Sequence, residues 1–425
     1  MVTVLFFFIS AMPRWVIGSA LGSGFFLYYF LEVAKRPAVF CSDGKFRKFL
    51  YSYMPLLNER FWPTIWCFES RAQTMFSTFY EQSSSVMEIL ELPDGGMVCL
   101  DWSLPKDDKP DTPTMLFLPG LTGESQADYI QGFVRSANSL GVRSVVFNYR
   151  GLGGIPLKTP RTYCACNYED LTEVIDHVKS KYPESPLGCT AVSMGGLVLG
   201  NYLAHESEKA NKNFKCCLII SVPWNISVAV DSIEQFGLNM LMNRYLASCL
   251  TEVVKGYVSE YLDDFLQQEE KIQSQDKTIR EFDSHFTVKQ FGYKDVNDYY
   301  ENATIHNKIH RVKVPVVCLS AADDPFQPLE GIPVETANLL EHVAIVVTAR
   351  GGHIGFWRAS GHSAKKNNIF SNFSLNFSLL FSKTQRYSEI PSLKLSLEGQ
   401  RTVNRHRKSI ALFQLTQSCW FFNKL

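Results

Sequence analysis

The sequence has no excess charge of either sign, since 42 Lys and Arg residues balance 42 Asp and Glu residues in a chain of 425. Nucleic-acid-binding proteins usually carry a basic surplus, so we predict no nucleic-acid partner. The 11 cysteines include no C-x-x-C pair, and zinc sites need several convergent ligands. We therefore predict no metal and no cofactor.

The composition is that of a folded protein, with 46% hydrophobic and 20% charged residues. We predict a membrane anchor in residues 1–36, a membrane-proximal lead-in in residues 37–86 and an enzyme-like domain in residues 87–356. The remaining residues, 357–425, carry 11 Lys or Arg and only 2 Asp or Glu. We predict that this basic tail is poorly ordered.

The N-terminus contains one long apolar run. Residues 15–31 hold no charged side chain, and a membrane-spanning helix needs about 17–25 such residues. A cleaved signal peptide is the rival interpretation, but its apolar region spans about 7–15 residues and this run is longer. We predict one uncleaved span. Lys35 and Arg36 follow it, and by the positive-inside rule they place the rest of the chain in the cytosol.

Short apolar segments alternate with amphipathic ones from residue 87 onward. The predicted strands include Thr114–Leu118, Leu187–Val192 and Val343–Thr348, and the predicted helices include residues 125–140 and Met194–His205. This alternation predicts an α/β fold, with a mostly parallel sheet and helices on both faces. Residues 225–309 interrupt the alternation, with a helix predicted over 226–262, and form a predicted helical cap over the carboxyl end of the sheet.

The strongest chemical motif is Ala191-Val192-Ser193-Met194-Gly195, which follows an apolar strand and opens a helix. That context is the one a nucleophilic serine on a sharp strand-to-helix turn requires, and the flanking residues must be small because the backbones crowd there. Ser125 stands in a similar local pattern, but it follows a loop, so we interpret it as the N-cap of the next helix. We predict Ser193 as the nucleophile.

A serine nucleophile needs a base and an acid, in the chain order serine, aspartate, histidine. Asp323 and Asp324 end one apolar strand, and spacing alone does not choose between them. His353 follows two glycines at the end of the last strand, where small neighbours let an imidazole approach the serine. The oxyanion donors are predicted to be the backbone N–H groups of Leu121 and Met194.

Seven segments together resemble one family. They are residues 61–69, 118–123, 147–151, 192–196, 279–283, 320–326 and 351–356. The set resembles the AB hydrolase-4 family of the α/β-hydrolase superfamily, in its membrane-anchored animal branch. The resemblance implies an α/β-hydrolase fold and a single-pass membrane esterase acting on phospholipids or other acyl esters, in the endoplasmic reticulum or another endomembrane. It places the acid on Asp324, with Ser193 and His353.

Two observations on the sequence disagree with what the resemblance implies. The family topology puts the catalytic part across the membrane, against the charge count, so orientation stays open. The match also stops at Phe356, where members of the family continue into an amphipathic helix. A catalytically impaired membrane protein is therefore the alternative to an active hydrolase, with one face of the last strand bare and the Ser193–His353 contact loosened.

Two other activities fit the sequence less well. Related acyltransferases carry an H-x-x-x-x-D motif, and none of the nine histidines has aspartate five positions on. A dinucleotide site at residues 151–154 has the wrong glycine spacing, and Pro156 blocks the helix that would bind the pyrophosphate. The remaining predicted partners are a lipid ester substrate and the membrane bilayer.

Overall fold

The computed structural model describes residues 13–65, 69–75, 85–159, 161–261, 277–356 and residue 377. All of them belong to the first of two contact units, Met1–Ser382. The second unit, Lys383–Leu425, lies outside the described residues. So does the predicted disorder of the tail, of which only Phe377 is described, and the predicted division into four segments stays a prediction.

A nine-stranded sheet runs through the described part of the chain in the order β1-β9-β8-β7-β6-β4-β5-β3-β2. Its strands are β1 Ala38–Phe40, β2 Val86–Glu91, β3 Met97–Ser103, β4 Thr114–Leu118, β5 Arg143–Asn148, β6 Leu187–Val192, β7 Phe214–Ile220, β8 Val316–Ala321 and β9 Val343–Thr348. Strands β4 to β9 pair in parallel, while β1, β2 and β3 make antiparallel pairs at the two edges. The predicted mostly parallel sheet is confirmed, and three of its strands have the predicted bounds.

Helices precede, connect and cap these strands. They are α1 Arg14–Tyr28, α2 Lys45–Tyr53, α3 Ser70–Met75, α4 Asp128–Ser139, α5 Glu169–Lys181, α6 Met194–His205, α7 Ser207–Asn213, α8 Ile226–Ile233, α9 Leu238–Tyr261, α10 Ile279–Phe282, α11 Val288–Phe291, α12 Val296–Ala303 and α13 Val334–Ala337. Helices α8 to α12 lie between β7 and β8 and form the cap.

Two helix predictions are wrong in detail. The single helix predicted over residues 226–262 is two helices, because Gly237 takes a positive φ of 109° that an α-helix cannot continue through. The helix predicted to begin at Ser125 begins at Asp128, and Ala127 occupies its N-cap position. Ser125 is buried instead, and its backbone N–H donates to Asn148 Oδ1 at 2.7 Å.

Strand β9 is buried on both faces, so the bare face predicted from the divergent tail is wrong. Val343 and Ile345 pack in the hydrophobic cluster on one side of the sheet, and Ala344 and Val346 pack in the cluster on the other. Strand β1 pairs along its edge, and Phe377 is fully buried in the second cluster. The lead-in segment and one tail residue therefore complete the core beside the last strand.

The N-terminal helix and the π-helical turn Tyr29–Val33 that continues it are long and apolar enough to cross a membrane, by length and composition. The end of this segment is held by the residues that follow it. Tyr29 and Val33 pack with Trp62 in a small cluster, and Arg60 Nη1 donates to the carbonyl of Ala34 at 2.8 Å.

Candidate active site

Ser193 occupies the turn between β6 and α6 with an unusual backbone conformation, φ 51° and ψ −119°. A residue other than glycine in this region is strained, and such strain concentrates at functional sites. The turn requires a glycine two residues after the serine. A Cβ on Gly195 would lie 2.5 Å from the carbonyl oxygen of Pro119. The backbone after β4 therefore leaves no room for a side chain at position 195, which explains the predicted need for a small residue there.

His353 joins the serine to a carboxylate. Its Nε2 atom lies 2.9 Å from Ser193 Oγ, and its Nδ1 atom lies 2.9 Å from Asp324 Oδ2. Both His353 and Asp324 are buried. The sequence predicted a loosened Ser193–His353 contact, but this separation is that of an ordinary hydrogen bond. The three side chains come from the ends of β6, β8 and β9, and the sheet brings them together.

The two neighbouring aspartates have different surroundings. Asp324 Oδ1 accepts the backbone N–H of Phe326 at 2.8 Å, which holds the carboxylate toward His353. Asp323 instead accepts the N–H of Gly352 at 3.0 Å. Burial raises the pKa of Asp323 to about 6, although the Gly352 bond and Arg350 act to lower it. Sequence spacing did not decide which of the two aspartates is the acid, and in the structure Asp324 is the one that contacts the histidine.

The loop that carries His353 is held from outside the sheet. The N–H of His353 donates to Thr74 Oγ1 at 2.9 Å, and the N–H of Ile354 donates to Ser221 Oγ at 3.2 Å. Gly352 has a φ of 56°, and a Cβ there would collide with the carbonyl of Ser70. Sequence analysis missed the role of α3, because Ser70 and Thr74 lie in no motif and are far from His353 along the chain.

The loop after β4 runs directly beside the serine. A Cβ on Gly120 would lie 3.3 Å from Ser193 Cβ, and the N–H of Gly120 donates to the hydroxyl of Tyr129 at 2.9 Å. Leu121 and Met194, the predicted oxyanion donors, both line the cavity into which Ser193 opens. Their role as oxyanion donors stays a prediction.

This cavity has a volume of about 720 Å³ and extends from Ser193 and His353 into the cap. Apolar side chains of α8, α9 and α10 form much of its wall; they include Ile226, Val230, Leu238, Leu241, Leu250 and Phe282. A cavity of this size with apolar walls suits a long acyl chain better than a small polar molecule.

One buried carboxyl interrupts the apolar wall. Asp283 lines the cavity and accepts hydrogen bonds from Thr287 Oγ1 at 2.7 Å and from the Tyr300 hydroxyl at 3.1 Å. Desolvation raises the pKa of Asp283 to about 7, and the two hydrogen bonds offset this effect in part. Burial therefore favours the neutral form of this carboxyl, compared with an exposed aspartate.

A sequence model of the alpha/beta hydrolase fold matches residues 113–360, a range that contains Ser193, Asp324 and His353. The chain belongs to the alpha/beta hydrolase family. The match begins just before β4 and ends just after the loop that carries His353, so it covers the parallel strands and the cap of this hydrolase. The fold class predicted from the sequence is confirmed.

Comparison with individual proteins supports a closer relationship within this family. Phospholipase ABHD3 of Mus musculus is 40% identical over 337 residues, which are 77% of this hydrolase and 81% of the mouse protein. Protein abhd-3.2 of Caenorhabditis elegans is 33% identical over 347 residues, 80% of this chain and 91% of that protein. Among solved structures, Est1E of Butyrivibrio proteoclasticus with bound ferulic acid matches with a TM-score of 0.45 and 16% identity, over 69% of this chain and 98% of that one. The first two relatives confirm the family resemblance, and this protein is an enzyme of the hydrolase class.

Proposed function

We propose that the protein is a membrane-anchored serine hydrolase that cleaves carboxylic acyl esters of lipids, of the phospholipase or acylglycerol lipase type. The observation that carries the proposal is the continuous contact from Ser193 Oγ through His353 to Asp324. The apolar cavity next to Ser193 and the similarity to phospholipase ABHD3 support a lipid as the substrate.

The geometry supports an acyl-enzyme mechanism. His353 Nε2 takes the proton of Ser193 as Oγ attacks the ester carbonyl carbon, while Asp324 orients the imidazole and stabilises its charged form. The N–H groups of Leu121 and Met194 stabilise the negative charge on the carbonyl oxygen. The imidazolium then gives its proton to the departing alcohol, which leaves the acyl group on Ser193. A water molecule, deprotonated by His353, releases the fatty acid and restores the serine.

Segment Arg14–Val33 supports the proposed anchorage, with an endomembrane such as the endoplasmic reticulum as the proposed location. The reaction as proposed uses side chains and backbone groups of this chain and one water molecule, with no metal or cofactor. The impaired alternative has little support in the site, because His353 lies within hydrogen-bonding distance of both Ser193 and Asp324.

Phospholipid hydrolysis tests the proposal. The full-length protein and its Ser193→Ala variant are incubated with phospholipid vesicles, and released fatty acid and lysophospholipid are measured by mass spectrometry. We expect release by the unmodified protein and none above background by the variant. Equal release by both would overturn the proposal, and release of neither product would favour the impaired alternative.

A further inference from the structure

An exposed apolar patch lies where α9 begins. It consists of Phe236, Leu238, Leu241 and Tyr245, all of which are exposed, with Phe236 fully so. We call this patch the cap lip. Leu238, Leu241 and Tyr245 also line the cavity that contains Ser193, whereas Phe236 is not among the lining residues. The cap lip is therefore an outer rim of the cavity.

The cap lip has almost no charge. Between Gln235 and Leu250 the only charged residue is Arg244, which is exposed. Clustered exposed apolar side chains usually mark a contact surface. A helix that presents aromatic and leucine side chains beside a basic residue has the character of one that lies in a membrane interface.

A series of hydrogen bonds links the end of the predicted anchor to the first turn of α9, which carries the cap lip. Arg350 Nη2 donates to the hydroxyl of Tyr28, in the last turn of α1, at 2.8 Å. Arg350 begins the loop that carries His353, and that loop binds Thr74 of α3. In turn Arg71 of α3 donates to Asn239 Oδ1, in the first turn of α9, at 2.9 Å. These hydrogen bonds link four elements in series: the end of the anchor, the histidine loop, α3 and the first turn of α9.

We propose that the cap lip rests in the surface of the bilayer that α1 spans, so that a lipid's acyl chain enters the cavity from the membrane without crossing water. This inference deepens the proposed function and rests on the proposed anchorage. The bilayer is the occupant favoured by the series of hydrogen bonds that links the end of α1, through the histidine loop and α3, to the first turn of α9, which carries the cap lip. Near the same end of α1, three more apolar side chains are exposed: Leu27, Phe30 and Leu31.

Lipid photocrosslinking tests this directly. The full-length protein carries p-benzoylphenylalanine in place of Phe236, Leu21 or Leu339 and is reconstituted into phosphatidylcholine vesicles. Leu21, exposed on α1, reports on the anchor, and Leu339 is a matched exposed residue. Leu339 lies just before β9, next to Leu340, whose carbonyl accepts the N–H of Ser42. The end of α1 contacts Arg350, which lies just after β9. Leu339 and α1 are therefore at opposite ends of this strand. Lipid adducts are identified by mass spectrometry.

We expect adducts at positions 21 and 236 and several-fold fewer at 339. Adducts at 21 with none at 236 above the level at 339 would overturn the inference and leave the anchor in place. Adducts at neither position would overturn both the anchor and the cap lip. Adducts at 236 without any at 21 would overturn the anchor and, because the inference rests on the anchor, the inference as stated. The readout is independent of hydrolysis, so it separates this inference from the proposed activity.

Activity provides a second measurement. Phe236→Asp places a charge on the cap lip without changing a cavity-lining residue, and Leu339→Asp is its matched control. We expect Phe236→Asp to lower the turnover of vesicle phospholipid several-fold and to leave the turnover of a water-soluble short-chain ester unchanged. Equal losses on both substrates, or a loss matched by Leu339→Asp, would contradict a membrane role for Phe236.

Discussion

Both carboxylate oxygens of Asp324 face His353 Nδ1, at 3.1 Å for Oδ1 and 2.9 Å for Oδ2. The adjacent Asp323 instead accepts the N–H of Gly352, one residue before the histidine. One aspartate thus contacts the imidazole, and the other holds the backbone of the loop that presents it. Their substitutions should have different effects.

We predict that Asp324→Asn lowers turnover on the order of 10⁴-fold, because the amide favours the wrong imidazole tautomer. Asp323→Asn keeps an oxygen that can accept the Gly352 N–H, so its loss should be much smaller. Steady-state hydrolysis of a soluble ester by the two variants measures the difference. Losses of similar size would mean that the loop, and not the carboxylate on His353, determines the rate.

The buried carboxyl of Asp283 predicts a pH dependence of stability. Its pKa is about 7 in the folded protein, against an ordinary value of 3.8. Because the folded value is raised, the stabilising contribution is fully present below about pH 3.8 and is lost progressively as pH rises from there to about 7. The full loss is on the order of 4 kcal/mol, from about 1.4 kcal/mol for each pKa unit.

Melting temperatures of the wild type and the Asp283→Asn variant between pH 5 and 8 test this prediction. Asparagine does not titrate, so the melting temperature of the wild type should fall relative to that of the variant as pH rises. Groups common to both proteins cancel in the difference. A difference that stays constant over this range would contradict a raised pKa for Asp283.

The backbone crowding at Gly195 predicts a strong effect of one methyl group. A Cβ there would lie 2.5 Å and 2.6 Å from the carbonyl oxygens of Pro119 and Leu118. We expect Gly195→Ala to destabilise the protein by about 1–3 kcal/mol, as overpacking does, and to displace Ser193. Gly44→Ala is the control, since its nearest neighbour is 3.9 Å away. An unchanged melting temperature and activity in Gly195→Ala would refute the crowding argument.

Most of the predicted anchor can be removed while Tyr28, Tyr29 and Val33, which contact the catalytic part, are kept. Deleting residues 1–27 leaves Tyr29 and Val33, which pack with Trp62. We expect the full-length protein to resist alkaline carbonate extraction from membranes and the truncated protein to be extracted, since the main apolar run is gone. Carbonate-resistant truncated protein would indicate a second integral segment.

Local patterns in the sequence were enough to predict the strands β4, β6 and β9 and the turn at Ser193, because apolar runs and small residues around a serine are encoded within a few positions. Contacts between distant segments were not predictable in this way. The pairing of β1 with β9 joins residues 38–40 to residues 345–347, and no local pattern specifies it. The choice between Asp323 and Asp324 depends on the loop conformation that turns one carboxylate toward His353. The hydrogen bond from His353 to Thr74 depends on how α3 packs.

The reactivity of Ser193 tests the central claim most directly. A fluorophosphonate probe is added to the full-length protein, the adduct is located by peptide mass spectrometry, and Ser193→Ala and Ser125→Ala are treated in parallel. Because the triad acts as a unit, Ser193→Ala should also lower ester turnover on the order of 10⁶-fold. We predict one adduct, on Ser193, that is lost in Ser193→Ala and retained in Ser125→Ala. An adduct on another serine, or labelling of Ser193→Ala equal to that of the unmodified protein, would contradict the account.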